Sequence, residues 1–198
     1  MESALRIELP PWLAGIAAGA VVLPAVDGRM AYVAELARRN AAAGGGPFAA
    51  AVFELASGRL VAAGGNLVVM SRCSSAHAEV VALSLAQQRL ANFDLAASGL
   101  PDHQLISSAE PCAMCVGAVL WSGVKSLVYG AREEDVRAIG FDEGPKHPHW
   151  ADALRASGIQ VTADVRRREC ATVLRDYAAA GGPIYNARNL RHRSKPRV

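Results

Sequence analysis

Two short segments, SSAHAEVVAL at residues 74–83 and EPCAMC at 110–115, restrict what this chain can fold into more than any other feature. The first places His77 and Glu79 two positions apart at the head of an apolar segment. A helix turns about 100° per residue, so these two side chains point to nearly opposite faces. They can act together only at the helix end, where first-turn side chains lean past the N-terminus. The second segment sets Cys112 and Cys115 at i and i+3, directly after Pro111. Proline is favoured in a first helical turn, so both thiols are expected in the opening turn of a helix. The positive dipole end there favours the thiolate, the metal-binding form. Three ligand-type side chains are thus expected to converge from two helix starts.

One histidine and two cysteines leave the fourth position of a zinc ion open, as in a catalytic rather than a structural site. Glu79 is no capping-box partner, because Ala76 stands three residues before it. It is therefore available to the attacking water. Taken alone, C-x-x-C reads equally as a redox dithiol, and a lone histidine on an apolar helix is most often a core residue. Together, H-x-E and P-C-x-x-C form the zinc deaminase signature. Cys73 and Cys170 are expected to be inert buried thiols. His103, His147, His149 and His192 are expected at the surface in loops or the tail.

The 198 residues suffice for one domain with a substantial core. Aromatics make up only 6% of the chain, which points to close packing of small side chains. The formal charge of +3 is misleading, since Arg188, Arg191, Arg193, Lys195 and Arg197 crowd the last eleven residues. Without those five, the remaining charge is −2. The body is no basic platform for nucleic acid, and the tail reads as a solvated end. The apolar run LAGIAAGAVVLPAV is too short to span a bilayer and lacks a basic flank. It is expected as a loop or short helix lying on the domain, with no membrane partner. Cysteine usage fits an intracellular, cytoplasmic protein.

The pattern along the chain predicts a helix over 29–43, stopped by GGG at 44–46. Strands are expected over 47–55 and 59–70 around a Ser57-Gly58 turn. A buried helix (76–90), a strand (103–109), a second buried helix (112–123) and a strand (125–131) follow. After a helix near 132–138 and a loop come a helix (151–157), a strand (159–163) and a last helix. Cys170, Val173, Leu174, Tyr177 and Ala178 mark its buried face. Strands alternating with helices predict an α/β domain with helices covering a mixed sheet.

From about Arg29 to Asn189 the chain resembles the cytidine deaminase-like superfamily. GPFAAAV, GGN, AHAEVVAL and EPCAMCVGAVLWSG match the branch that holds guanine deaminases and tRNA adenosine deaminases. AIGFDEGP (138–145) and IYNAR (184–188) resemble bacterial guanine deaminases. The resemblance implies a three-layer α/β/α sandwich with a mixed central sheet of about five strands. It divides the chain into an apolar extension (1–28), a zinc deaminase domain (29–182) and a C-terminal segment with the basic tail (183–198). It also implies a homodimer whose C-terminal segment crosses to the partner's pocket. By position, His77, Cys112 and Cys115 would hold Zn2+ and Glu79 would shuttle the proton. Asn66 and Ala78 would contact a purine base, Phe48 would line the pocket, Glu143 or Asp142 would face the reacting edge, and Tyr185 would close the site.

A carboxylate is an acceptor-only partner, matched to the adjacent N1–H and 2-amino donors of guanine. Adenine offers an acceptor beside its amine and would be half mismatched. FDEG also reads as a plain acidic turn; the resemblance favours Glu143 over Asp142. The expected reaction is hydrolysis of guanine at C2 to xanthine and ammonia, with Glu79 carrying the proton. A tRNA adenosine deaminase would need basic surface near the pocket, and only residues 166–168 and the tail supply clusters. A deaminase of a nucleoside or of an aminotriazine such as ammeline uses the same chemistry. A zinc module that binds nucleic acid without catalysis leaves Glu79 with no role.

Overall fold

The computed structural model describes residues 6–16 and 21–186. The basic tail and the segment beyond Asn186 lie outside the described residues, so the expectations placed on them are not addressed. The middle layer is a five-stranded sheet built from β1 (Ala49–Glu54), β2 (Leu60–Gly65), β3 (His103–Ala109), β4 (Ser126–Ala131) and β5 (Gln160–Thr162). Its order is β2-β1-β3-β4-β5. The two pairings of β1 are antiparallel, whereas β3–β4 and β4–β5 are parallel. The register sets Gly65 beside Ala49, Ala50 beside Ser107 and Ala109 beside Ala131. The carboxyl ends of β2, β3 and β4 therefore share one edge of the sheet, where ligands settle in open α/β folds.

Alternation along the strands fills two cores. Ala49, Ala51, Phe53, Ile106 and Val128 face one side, against Met30, Val33, Leu36, Val173 and Leu174. Those residues come from α2 (Val26–Ala42) and α8 (Arg167–Ala179). Ala50, Val52, Leu105 and Leu127 face the other side, against Ala82, Ala86, Val119 and Leu154. These belong to α4 (Ala78–Arg89), α5 (Ala113–Ser122) and α7 (Trp150–Ala156). The result is the expected three-layer sandwich with a mixed sheet.

Several local expectations are corrected. The second strand does not run to residue 70 but stops at Gly65. Asn66 Oδ1 accepts the Val68 N–H at 3.3 Å and starts the short helix α3 (Val68–Ser71). His103 is not a surface residue: it opens β3, is fully buried, and its Nδ1 lies 2.8 Å from the Leu95 carbonyl oxygen. Cys170 is buried as expected, but Cys73 is half-exposed, on the loop before α4. The short α6 (Glu133–Ala138) lies where a helix is expected.

The described part of the N-terminal extension is tied into the main core. The helix α1 (Pro11–Ala14) buries Leu13, and Leu9, Trp12, Val21 and Leu23 pack beside it. Val22 bridges to Arg59, and the buried Arg29 anchors the Leu23, Pro24 and Leu55 carbonyls and Gln104. Burying a guanidinium is tolerable only when its nitrogens are hydrogen-bonded, and each of the three is here.

Gly64 lets α4 lie directly on β2. A Cβ there would stand 2.5 Å from the Ala78 carbonyl oxygen and 2.6 Å from the Ala82 amide nitrogen. Both are backbone atoms that cannot swing aside, so Gly64→Ala should lower stability by about 1–3 kcal/mol. Urea denaturation measures this; an unchanged midpoint would show that α4 can lift off the sheet without penalty.

Candidate active site

Helices α4 and α5 both begin at the shared sheet edge, and both begin in an unusual way. Their N-cap residues are His77 and Cys112, and neither makes a side-chain cap hydrogen bond. Caps are ordinarily Ser, Thr, Asp or Asn, whose side chains are consumed by the first-turn amides. Here the side chains stay available, and they meet. Cys112 Sγ lies 3.4 Å and Cys115 Sγ 3.7 Å from His77 Nδ1. One ligand atom from each of the three residues falls within 4.8 Å of the others. Zn–S and Zn–N bonds in a tetrahedral site set such atoms about 3.6 Å apart, so this cluster fits zinc. Pro111 precedes the N-cap instead of occupying the first turn as the sequence suggests.

The cluster is electrostatically tense. Cys112 is held down to about 4, first by a hydrogen bond from the Cys115 thiol and then by His77. The Cys115 thiol is correspondingly pushed up, since its neighbour carries the charge. The His77 imidazole is raised: burial opposes its charge, but the hydrogen bond and negative charge of Cys112, with Glu79 and Glu143, outweigh it.

These groups border a cavity of about 560 Å³ whose wall includes Phe48, Asn66, Glu79, Asp142, Glu143 and Tyr185. Glu79 is buried in the first turn of α4, accepting from Ser107 Oγ at 3.3 Å and from Cys115 Sγ at 3.4 Å. Its carboxyl is raised, by burial first and the Cys112 thiolate second. Glu143 is likewise buried and is pushed up to about 8, by burial, then by Cys112 and Glu79. Ala78 does not line the cavity; its side chain packs in the core between α4 and the sheet.

Asn66 is fixed from two sides. Tyr185 donates its hydroxyl to Oδ1 at 2.6 Å, and the Val68 N–H donates to the same oxygen. An amide N–H can only donate, so the atom facing it must be the carbonyl oxygen. The Asn66 NH2 is then left on the cavity side. Tyr185 also packs edge-on against Phe141, and Asn186 joins Asp142 N and Gly140 O at 2.9 Å each. Residues 183–186 thus border the pocket within the described chain.

The sequence reading missed Glu110 on the cavity wall, Lys146 behind it and Asn40 beneath it. The fully buried Asn40 of α2 donates through Nδ2 to the Gly46 and Asn66 carbonyls, both at 2.8 Å. Glu110 had a signal, its place in the E-P-C segment. Asn40 had none.

The family model for the cytidine and deoxycytidylate deaminase zinc-binding region matches residues 26–131. The chain belongs to this deaminase family. The deaminase is similar to guanine deaminase of Bacillus subtilis (strain 168), 40% identical over 99 residues that span 50% of this chain and 59% of that one. It is also similar to the tRNA-specific adenosine deaminase of Haemophilus influenzae, 33% identical over 73% of this chain and 78% of that one. Two solved structures are each 56% identical. One, described as guanine deaminase from Nitrosomonas europaea, has a TM-score of 0.87 and covers 90% of this chain and 98% of its own. The other, an N66Q mutant in complex with 8-azaguanine, has a TM-score of 0.88 and covers 91% and 98%. The deaminase fold and family expected from the motifs are therefore in place.

Replacing Asn40 by Ala should leave the Gly46 carbonyl without this donor in a dry interior, while the Asn66 carbonyl keeps the Gly46 N–H at 3.1 Å. The expected loss is roughly 1–3 kcal/mol of stability, read from urea unfolding. A neutral result would mean that the Gly46 carbonyl finds another donor.

Proposed function

We propose that this deaminase hydrolyses guanine to xanthine and ammonia, with zinc held by His77, Cys112 and Cys115. The observation that carries the reading is one cavity bringing together that three-ligand cluster and two buried carboxyls, Glu79 and Glu143. Zinc, when bound, supplies a Lewis acid that makes a hydrolytic nucleophile available near neutral pH. Glu79 sits against the ligands, on Cys115, and is placed to take a proton from the attacking water and return it to the departing amine. Phe48 flanks the base, and the Asn66 NH2, oriented by Tyr185, donates to an acceptor on it. Glu143, when ionised, accepts from N1–H and the 2-amino group, a pattern that adenine does not offer. The identity to guanine deaminases and to a protein holding 8-azaguanine supports this substrate over adenosine in tRNA.

Homodimerisation belongs to the same reading. Helix α5 leaves Met114, Leu120 and the 84% exposed Trp121 uncovered, an apolar face suited to a second copy. No helix among the described residues is long and apolar enough to cross a membrane. All four cysteines are free thiols, which supports a reducing, cytoplasmic setting.

Elemental analysis and ammonia release test the metal and the shuttle together. Cys112→Ser should lose zinc. Glu79→Gln should keep one zinc per chain and lose turnover by roughly 10²-fold or more. Full zinc in the first variant, or near-native turnover in the second, would reject the respective role.

Substrate choice is tested at Glu143. Glu143→Gln should cut guanine turnover by at least about 10²-fold while zinc content and melting temperature stay near those of the parent. Faster turnover of adenine than of guanine by the parent would overturn the substrate assignment.

A further inference from the structure

We propose that Lys146 is the positioning residue for Glu143: it fastens the 140–149 loop to the start of α5, so that the Glu143 carboxyl is presented to the cavity. The inference rests on the reading that Glu143 acts on the substrate.

The loop that carries Glu143 has no regular structure of its own from Gly140 to Pro148. Two contacts join it to the beginning of α5. The Ala113 N–H, uncapped by any side chain, donates to the Glu143 carbonyl at 3.1 Å. Three residues further on, Lys146 Nζ donates to the Pro111 carbonyl at 3.1 Å. The same ammonium reaches Glu110 Oε1 at 2.6 Å and Glu133 Oε2 at 2.9 Å. An ammonium has three N–H donors, and here each has an acceptor.

Lysine is almost never buried unless it is paired, yet this side chain is 5% exposed. Its Nζ also lies 5.1 Å from the centre of the Trp150 ring. Glu110 and Pro111 immediately precede the ligand Cys112, and Glu110 is itself held. Its N–H donates to the Ala131 carbonyl at 2.7 Å, and its Oε2 accepts the Glu133 N–H at 3.1 Å. One cation therefore joins the end of β3, the start of α6 and the loop. Arg137 secures the loop's other flank through Asp142 at 3.5 Å. With the clasp open, nothing but the Ala113–Glu143 contact would hold Glu143 to the α5 start among the bonds that tie this loop to that helix.

A double-mutant cycle separates positioning from general stabilisation. Guanine turnover is measured for the parent, Lys146→Met, Glu143→Gln and the double variant, with zinc content and melting temperature for each. Lys146→Met should lower kcat by about 10- to 100-fold with Glu143 present, the scale of a small misplacement of a reacting group. It should change kcat by less than about twofold once Glu143 is Gln, and zinc should stay at one per chain throughout. If removing the charge prevents folding, because the buried Glu110 carboxylate is left without its cation while Glu133 keeps only Arg137, Lys146→Gln goes through the same cycle, since its amide keeps a donor. Equal losses in both Glu143 backgrounds, or no loss with Glu143 present, overturn the positioning role. Parent-like turnover of Glu143→Gln alone overturns instead the role assigned to Glu143.

Discussion

The meeting of two helix N-termini at one sheet edge is the constraint on which the rest of the structure depends. Each start leaves backbone N–H groups without partners and a partial positive charge. Placing two of them together is unfavourable unless something negative sits between them. The Cys112 thiolate does so here, with the Cys115 thiol donating to it. The cost of leaving both helices without side-chain caps is the condition for having ligand atoms at all, because a capping side chain cannot also point outward. Gly64 and the small residues Ala78 and Ala82 bring α4 close enough to the sheet for its first turn to reach the α5 start.

Everything that touches this junction is legible in the sequence to the extent that it is encoded by short spacing. His77, Glu79, Cys112 and Cys115 could be placed because i, i+2 and i, i+3 relations translate directly into positions on a helix end. Three layers and a mixed sheet followed from the alternation of strand and helix patterns. Asn40 and Lys146 were illegible for the opposite reason: each has a partner far along the chain, 26 and 36 residues away. An asparagine in the last turn of a helix and a loop lysine carry no local sign that they are buried. His103 was misplaced because a polar residue beside Pro101 and Asp102 looks like loop, whereas its ring is taken up by the Leu95 carbonyl. Cys73 was misplaced by residue type, since free cysteine is usually buried and this one sits on an exposed turn.

A second pattern is that the Asn66 wall of the cavity is assembled by backbone carbonyls and amides as much as by side chains. Gly46 donates to the Asn66 carbonyl and Asn66 to that of Phe48, with Asn40 sealing the underside. Three stretches of the chain, from α2, the entry to β1 and the exit of β2, are thereby locked into one surface. Such a wall is rigid without large side chains, in keeping with a chain so poor in aromatics.

The charge of the cavity wall has its own consequence. Among the described residues it is lined by four carboxyl-bearing side chains, Glu79, Glu110, Asp142 and Glu143, and by no lysine or arginine. Lys146 and Arg137, the nearest cations, are spent on Glu110, Glu133 and Asp142. Burial holds the Glu79 carboxyl up and Glu143 at about 8, so the wall is less charged than its composition suggests and suits a neutral heterocycle. On the reaction proposed, the dioxo product ring is more acidic than the aminopurine it came from. A product ring that sheds a proton and a wall carboxyl that ionises would each disfavour the other's charge, so the acidic lining would favour the product's departure.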